Sequence, residues 1–294
     1  MFGLLNINKM AGLTSRQVVN RVQRLVRPAK VGHAGTLDPM ATGVLIVCVG
    51  PATKLISLVQ QQSKVYRSEF VFGQTSNTDD STGYVLDVLD PEPVTRQQLD
   101  ESLHRFRGEI SQTPPQFSAV KVNGQRAYKL ARQGQSVEIR AKTVRIDRLE
   151  TIHFEYPRLQ LEIECGSGTY IRSIARDLGR LLGCGAVMSQ LERTRIGDCA
   201  IDDALNLDDL TPETLSNALL PPTLATRELP CLNASQSQCE RLRNGQWLSL
   251  DPQTDWTEDR PIAVLSPDGQ LVCLASYRER DRSLAPKQVF PAVS

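Results

Sequence analysis

The segment Gly32-His33-Ala34-Gly35-Thr36-Leu37-Asp38-Pro39-Met40-Ala41-Thr42-Gly43 sets one carboxylate on a loop that holds three glycines in twelve residues. Glycine lets a backbone approach a ligand closely. The proline after Asp38 biases that residue away from the helical region toward an extended conformation. A carboxylate supported in this way can act as a nucleophile. Taken alone, an Asp-Pro step more often marks a turn whose carboxylate bonds neighbouring amides. A second segment, Gly166-Ser167-Gly168-Thr169-Tyr170-Ile171-Arg172-Ser173, joins a strand to a helix. It puts Arg172 in the first helical turn, where the macrodipole disfavours a cation. The anion that offsets this could be a phosphate, or a carboxylate such as Asp38, which a bidentate arginine would orient and keep ionised. A solvent-exposed arginine is the alternative. Tyr66 opens an apolar strand face and by itself reads as a core or rim tyrosine. His33, one of three histidines, could stack on a base, move a proton or be an incidental loop residue. No two histidines stand at metal-ligand spacing, so no catalytic metal is expected. Gly166-Ser167-Gly168 lacks the P-loop lysine and a full G-x-G-x-x-G, so no nucleotide cofactor is expected either.

These groups need rigid elements beneath them. Thr14 to Gln17 forms a capping box, followed by an apolar stripe of Val18, Val22, Leu25 and Val26 that ends at Pro28. Residues 44–49 read as a buried strand. Residues 65–73 alternate, with Tyr66, Ser68, Phe70 and Phe72 on one face. A second capped helix starts near Thr95, with Leu99, Leu103 and Phe106 inward. Residues 159–165 alternate again, and a helix follows from about Thr169 with Ile171, Ile174, Leu178 and Leu181 on its buried side. Gly183 is a plausible cap for that helix. The acidic stretch 201–229, with Pro212, Pro221 and Pro222, reads as a boundary. Beyond it come a short helix, a hairpin around Asp268-Gly269 and further strand. The expected class is α+β, a mixed, mostly antiparallel sheet flanked by helices, with domains at 1–229 and 230–294.

The chain of 294 residues is long enough to bury a full core. No apolar run approaches the roughly 20 residues that span a bilayer, and no signal peptide is expected at the N-terminus. Seven scattered cysteines without C-x-x-C spacing suggest free thiols in a reducing cytoplasm. The net charge of +1 conceals segregation: residues 1–76 carry nine Lys/Arg against two Asp/Glu, and residues 113–200 carry fourteen against nine. Two basic blocks could form a polyanion-binding face, or simply be solvated surface.

In their order, the motifs resemble those of the bacterial tRNA pseudouridine-55 synthases, the TruB family. They are Asn8-Lys9 with Gly12-Leu13-Thr14-Ser15, Gly32 through Leu45, Lys64-Val65-Tyr66-Arg67 and Gly73-Gln74. Pro114 through Lys121, Arg126-Ala127-Tyr128, Gly168 through Ser173 and Leu191-Glu192-Arg193 complete the set. The resemblance covers most of residues 3–200. It implies the pseudouridine synthase fold, with Asp38 as catalytic aspartate and Arg172 as its partner. It implies that Tyr66 stacks on the target uracil and is a candidate proton-abstracting group, and that His33 contacts RNA as the base flips. Tyr170 and Leu191 would line the uridine pocket, with Asp80 and Lys9 as further substrate contacts. Residues 114–142 would be an RNA-gripping insertion, and 230–294 a small PUA-like β domain. Met10 stands where the family usually has proline. The expected activity is isomerisation of uridine 55 in the tRNA T-arm, without metal or cofactor, by a cytoplasmic monomer with no obligate protein partner. A non-catalytic RNA-binding or RNA-folding module would share the basic surface but would not need Asp38 or Arg172. A synthase acting on ribosomal or guide-directed RNA is the other alternative.

Overall fold

The computed structural model describes residues 1–122, 124–250 and 256–292. Its centre is a ten-stranded mixed sheet. Across its main path the strands run Leu205–Asn206, Gly3–Lys9, Thr42–Val49, Ala186–Ile196, Lys64–Phe72, Arg158–Cys165, Lys142–Glu155 and Gly108–Gln112. Two of these pairings are parallel, Gly3–Lys9 with Leu205–Asn206 and Thr42–Val49 with Ala186–Ile196, and the rest are antiparallel. The α+β class and the mixed, mostly antiparallel sheet are therefore as expected.

Local chemistry explains the elements that support the loop and the Arg172 helix. Thr14 caps the Ser15–Leu25 helix with a complete capping box, and Val18, Val19 and Val22 are buried. Thr95 does the same for Arg96–Leu103. The alternation at 159–165 resolves into a strand with Leu159, Leu161, Ile163 and Cys165 buried. They pack with the Ile171–Leu181 helix, whose Ile171, Ile174, Ala175 and Leu178 join the same core. Leu181, expected inward, is 41% exposed. The helix ends there, the chain leaves through Gly183 at φ +76°, and Leu182 packs against the core instead.

The acidic stretch is not a free linker. Leu205–Asn206 extends the central sheet, and Leu207, Leu210 and Leu215 enter its core. Burying those leucines holds the segment on the sheet despite its charge. After it, residues 231–289 contribute a second, five-stranded sheet. This sheet carries the short helix Gln236–Arg243 and the hairpin of Pro261–Leu265 with Leu271–Arg278. Phe290 stacks on Phe2 at 5.3 Å and so joins this unit to the first strand. The seven cysteines are free, six of them buried and Cys231 exposed. Among the described residues no helix is long and apolar enough to cross a membrane.

Gly43 is required where the loop enters its strand. It sits at φ +97°, and a Cβ there would lie 2.2 Å from the Arg193 carbonyl oxygen. Gly43→Ala should therefore lower unfolding stability by about 2 kcal/mol or more, through positive-φ strain and the clash with backbone. An unchanged midpoint in urea denaturation would contradict this packing.

Candidate active site

The Asp38 loop is pinned on both sides of its carboxylate. Ser15 Oγ accepts from the Leu37 amide at 2.9 Å and donates to the Leu37 carbonyl at 3.2 Å. On the other side, the Pro39 carbonyl accepts from the Gly12 amide at 2.8 Å and from Lys9 Nζ at 3.3 Å. Lys9 also donates to the carbonyls of Met10 and Leu13 and is fully buried. Lys9 is expected among the substrate contacts, but it offers a substrate no surface. Its ammonium is spent on three carbonyls beneath the loop, and burial pulls its pKa down to about 8.

Asp38 and Arg172, 134 residues apart, meet in bidentate fashion. Arg172 Nε lies 3.0 Å from Asp38 Oδ2, and Nη2 lies 3.3 Å from Oδ1. Nη1 faces Asp80 Oδ2 at 3.4 Å and donates to the Thr78 carbonyl at 2.9 Å. Nη2 also donates to the Phe117 carbonyl at 3.3 Å. Asp80 is held in turn by the hydroxyls of Thr78 and Thr82 and by the Thr82 amide. One nearly buried guanidinium thus serves two carboxylates, and only Asp38 keeps substantial exposure, at 34% of its side chain. From the sequence, arginine is expected to lower the Asp38 pKa. The guanidinium does pull that way, but burial outweighs it, Asp80 adds to the rise, and the net direction is upward.

Asp38 and Arg172 line a cleft of about 350 Å3 together with Tyr66, Tyr170, Leu191 and Arg193. Tyr66 comes from the strand Lys64–Phe72, and Leu191 comes from its antiparallel neighbour, paired to Ser68. Burial pushes the Tyr66 phenol up, while the Arg193 guanidinium opposes it by charge and hydrogen bonding. Tyr170, at the start of the Arg172 helix, is fixed through its backbone by the Gln112 side chain, and its ring faces Lys142 Nζ at 5.0 Å. A larger groove of about 940 Å3 shares Asp38 and Arg172 and is lined on its far side by Arg126, Tyr128 and Arg132. His33 borders this groove rather than the smaller cleft. Its Nδ1 is buried without a hydrogen-bond partner among the described residues, and burial lowers its pKa.

Of the expected set, Asp38, Arg172, Tyr66, Tyr170 and Leu191 therefore meet in the smaller cleft, His33 and Asp80 line the larger groove, and Lys9 lies buried beneath the loop. Arg176, the second cation of the Arg172 helix, pairs elsewhere, with Asp79 and Asp177. Sequence reasoning placed Arg193 in a family motif without giving it a role or burying it, and missed the backbone carbonyls of Thr78 and Phe117. Cross-strand register and main-chain contacts have no local signature in composition or periodicity. The assembled site can hold one planar group against Tyr66, Tyr170 and Leu191, with an oriented carboxylate at its edge.

Residues 23–171 match the family described as TruB family pseudouridylate synthase (N terminal domain), and residues 172–223 match the tRNA pseudouridylate synthase B C-terminal domain. A Mycobacterium bovis protein named tRNA pseudouridine synthase B is 46% identical over 280 residues, covering 91% of this chain and 92% of its own length. A Gloeothece citriformis protein of the same name is 37% identical over 301 residues, covering 99% and 97%. Among solved structures, a chain of a Cbf5-Nop10-Gar1 complex aligns with a TM-score of 0.76 at 23% identity, covering 98% of this chain and 84% of its own. A chain of an H/ACA RNP bound to a substrate RNA containing 2'-deoxyuridine gives 0.76 at 22%, covering 99% and 86%. At such identities the two structures speak for the shared fold, while the family match and the curated relatives speak for the activity. The chain belongs to the TruB family of pseudouridylate synthases.

Proposed function

We propose that this protein converts uridine 55 in the T-arm of tRNA to pseudouridine, acting alone in the cytoplasm as a monomer and without a cofactor. The observation that carries the reading is the Asp38 carboxylate, gripped by Arg172 yet a third exposed, at the edge of a cleft walled by Tyr66, Tyr170 and Leu191. The name shared by the curated relatives supports tRNA as the substrate. The reaction breaks the N1–C1′ bond, rotates the uracil and joins C5 to C1′. C5 loses a proton and N1 gains one, so the conversion balances without a redox partner or ATP. Asp38 serves as the nucleophile, at C6 of the base or C1′ of the ribose. Arg172 orients the carboxylate and favours its ionised form, with Asp80 holding the guanidinium from behind. Tyr66 supplies a stacking face and is a candidate base for the C5 proton.

The uridine must leave its stack, which costs a few kcal/mol and leaves a vacancy. His33, at the border of the larger groove, is placed to meet the RNA there. Arg126 and Arg132, within residues 114–142, line the same groove and supply cations for phosphates. The C-terminal sheet is read as a PUA-like RNA-binding unit. Phosphate contacts release counterions, so raising salt from 50 to 200 mM should weaken stem-loop binding about tenfold or more. Affinity independent of salt in a filter-binding titration would contradict a phosphate-gripping groove.

The test of the function is incubation of the purified protein alone with a T-arm stem-loop, followed by pseudouridine mapping. Conversion of the single uridine at position 55 is expected. Conversion only at another position, or only when another protein is added, would overturn the proposal.

A further inference from the structure

Arg193 stands directly across from Tyr66 in the antiparallel pairing of their strands, and both line the small cleft. It is 1% exposed and makes no ion pair among the described residues. A buried guanidinium without a carboxylate persists only where its donors are used. Nε donates to the Val44 carbonyl at 2.7 Å, and Nη2 donates to the Gly35 carbonyl at 3.1 Å. Nη1 donates to no carbonyl or carboxylate among the described residues, and the strand pairing sets it on the same sheet face as Tyr66, where burial pushes the phenol up and the Arg193 charge opposes it. One side chain thus ties the loop that carries Asp38 to the strand that follows it, and stands beside the tyrosine of the cleft. This is more than packing requires, because an apolar residue could fill the same space without burying a charge.

We propose that Arg193 is a positioning residue that acts on the isomerisation through the Tyr66 hydroxyl. In this arrangement the free Nη1 donates into the phenol oxygen across the strand pair, and the tyrosine's own proton is turned away from Arg193 and into the cleft. There it meets the oxygens of a uracil that gains negative charge as its bonding electrons move. The inference rests on the reaction proposed above.

The test is a double-mutant cycle read by single-turnover pseudouridine formation at saturating stem-loop. Arg193→Lys keeps the charge but loses the fork. It should slow the rate about tenfold or more while leaving stem-loop affinity within about threefold, and in a Tyr66→Phe background the same change should cost less than about twofold. Equal fold losses in the two backgrounds would overturn the proposal, since Arg193 would then act independently of the hydroxyl. Should Arg193→Lys fail to fold by thermal melting, the wild-type side chain still decides the matter. Its guanidinium 15N signals should shift and exchange faster with solvent in Tyr66→Phe, and unchanged signals would overturn the link. A wild-type protein that makes no pseudouridine would refute the reaction itself, an outcome separate from either result of the cycle.

Discussion

Asp38→Asn should reduce pseudouridine formation to background while leaving stem-loop affinity within about tenfold, or 1.4 kcal/mol. The amide is nearly isosteric and can still accept from Arg172, so the loop held by Ser15, Lys9 and Gly12 stays in place. What is lost is the nucleophile, and an amide oxygen is a poor substitute. Turnover by this variant at a measurable fraction of the wild-type rate would remove Asp38 from the chemistry. The wild-type protein should also show an acid limb. Burial raises the Asp38 pKa above its ordinary value, so the reactive carboxylate is lost as pH falls through that raised value. Single-turnover rates should fall on the acid side at a pH higher than an ordinary aspartate would give.

Arg172→Ala should lose activity on a similar scale, about a thousandfold or more, by a different route. Its removal leaves Asp38 and Asp80 facing a vacated guanidinium site, with the Thr78 and Phe117 carbonyls also unserved. Breaking a fully buried pair typically destabilises by about 3–5 kcal/mol; Asp38 is a third exposed, so about 2–3 kcal/mol is expected here. The pH dependence of that loss has a definite sign. Without arginine, burial and the neighbouring Asp80 outweigh the smaller pull of Lys9 and lift the folded pKa of Asp38 further above the unfolded value. Any stability the group contributes is then present at low pH and lost as pH rises through the folded value. Relative to wild type, Arg172→Ala should therefore be less destabilised at pH 5 than at pH 8. A loss that grows toward acid in denaturant titrations would show that the guanidinium is not what keeps the Asp38 carboxylate charged.

The capped helices, the buried 44–49 strand and the alternation at 159–165 were readable because caps and periodicity are local. The meeting of Asp38 with Arg172 was readable as one of three options, beside a phosphate partner and a solvent-exposed arginine, since the macrodipole disfavours an unpaired cation at a helix start. The family motifs favoured the carboxylate. What escaped notice depends on non-local geometry. Lys9 is expected at the substrate from the family motifs, yet three carbonyls converge on it from the turns at 10–13 and at Pro39. Asp80 sits in an acidic block, and nothing local shows that it shares an arginine with Asp38. Arg193 lies on a polar-looking strand whose register alone sets it opposite Tyr66. Leu181 kept the helical period but lay one turn beyond the surface that buries it.

The most direct test of the central claim is the structure of Asp38→Asn bound to a T-arm stem-loop. The target nucleoside should be everted between Tyr66 and Leu191, with C6 or C1′ about 3–3.5 Å from the substituted amide and Arg172 still in contact with that amide. A uridine still stacked in its loop, or seated beyond reach of the amide, would contradict the account.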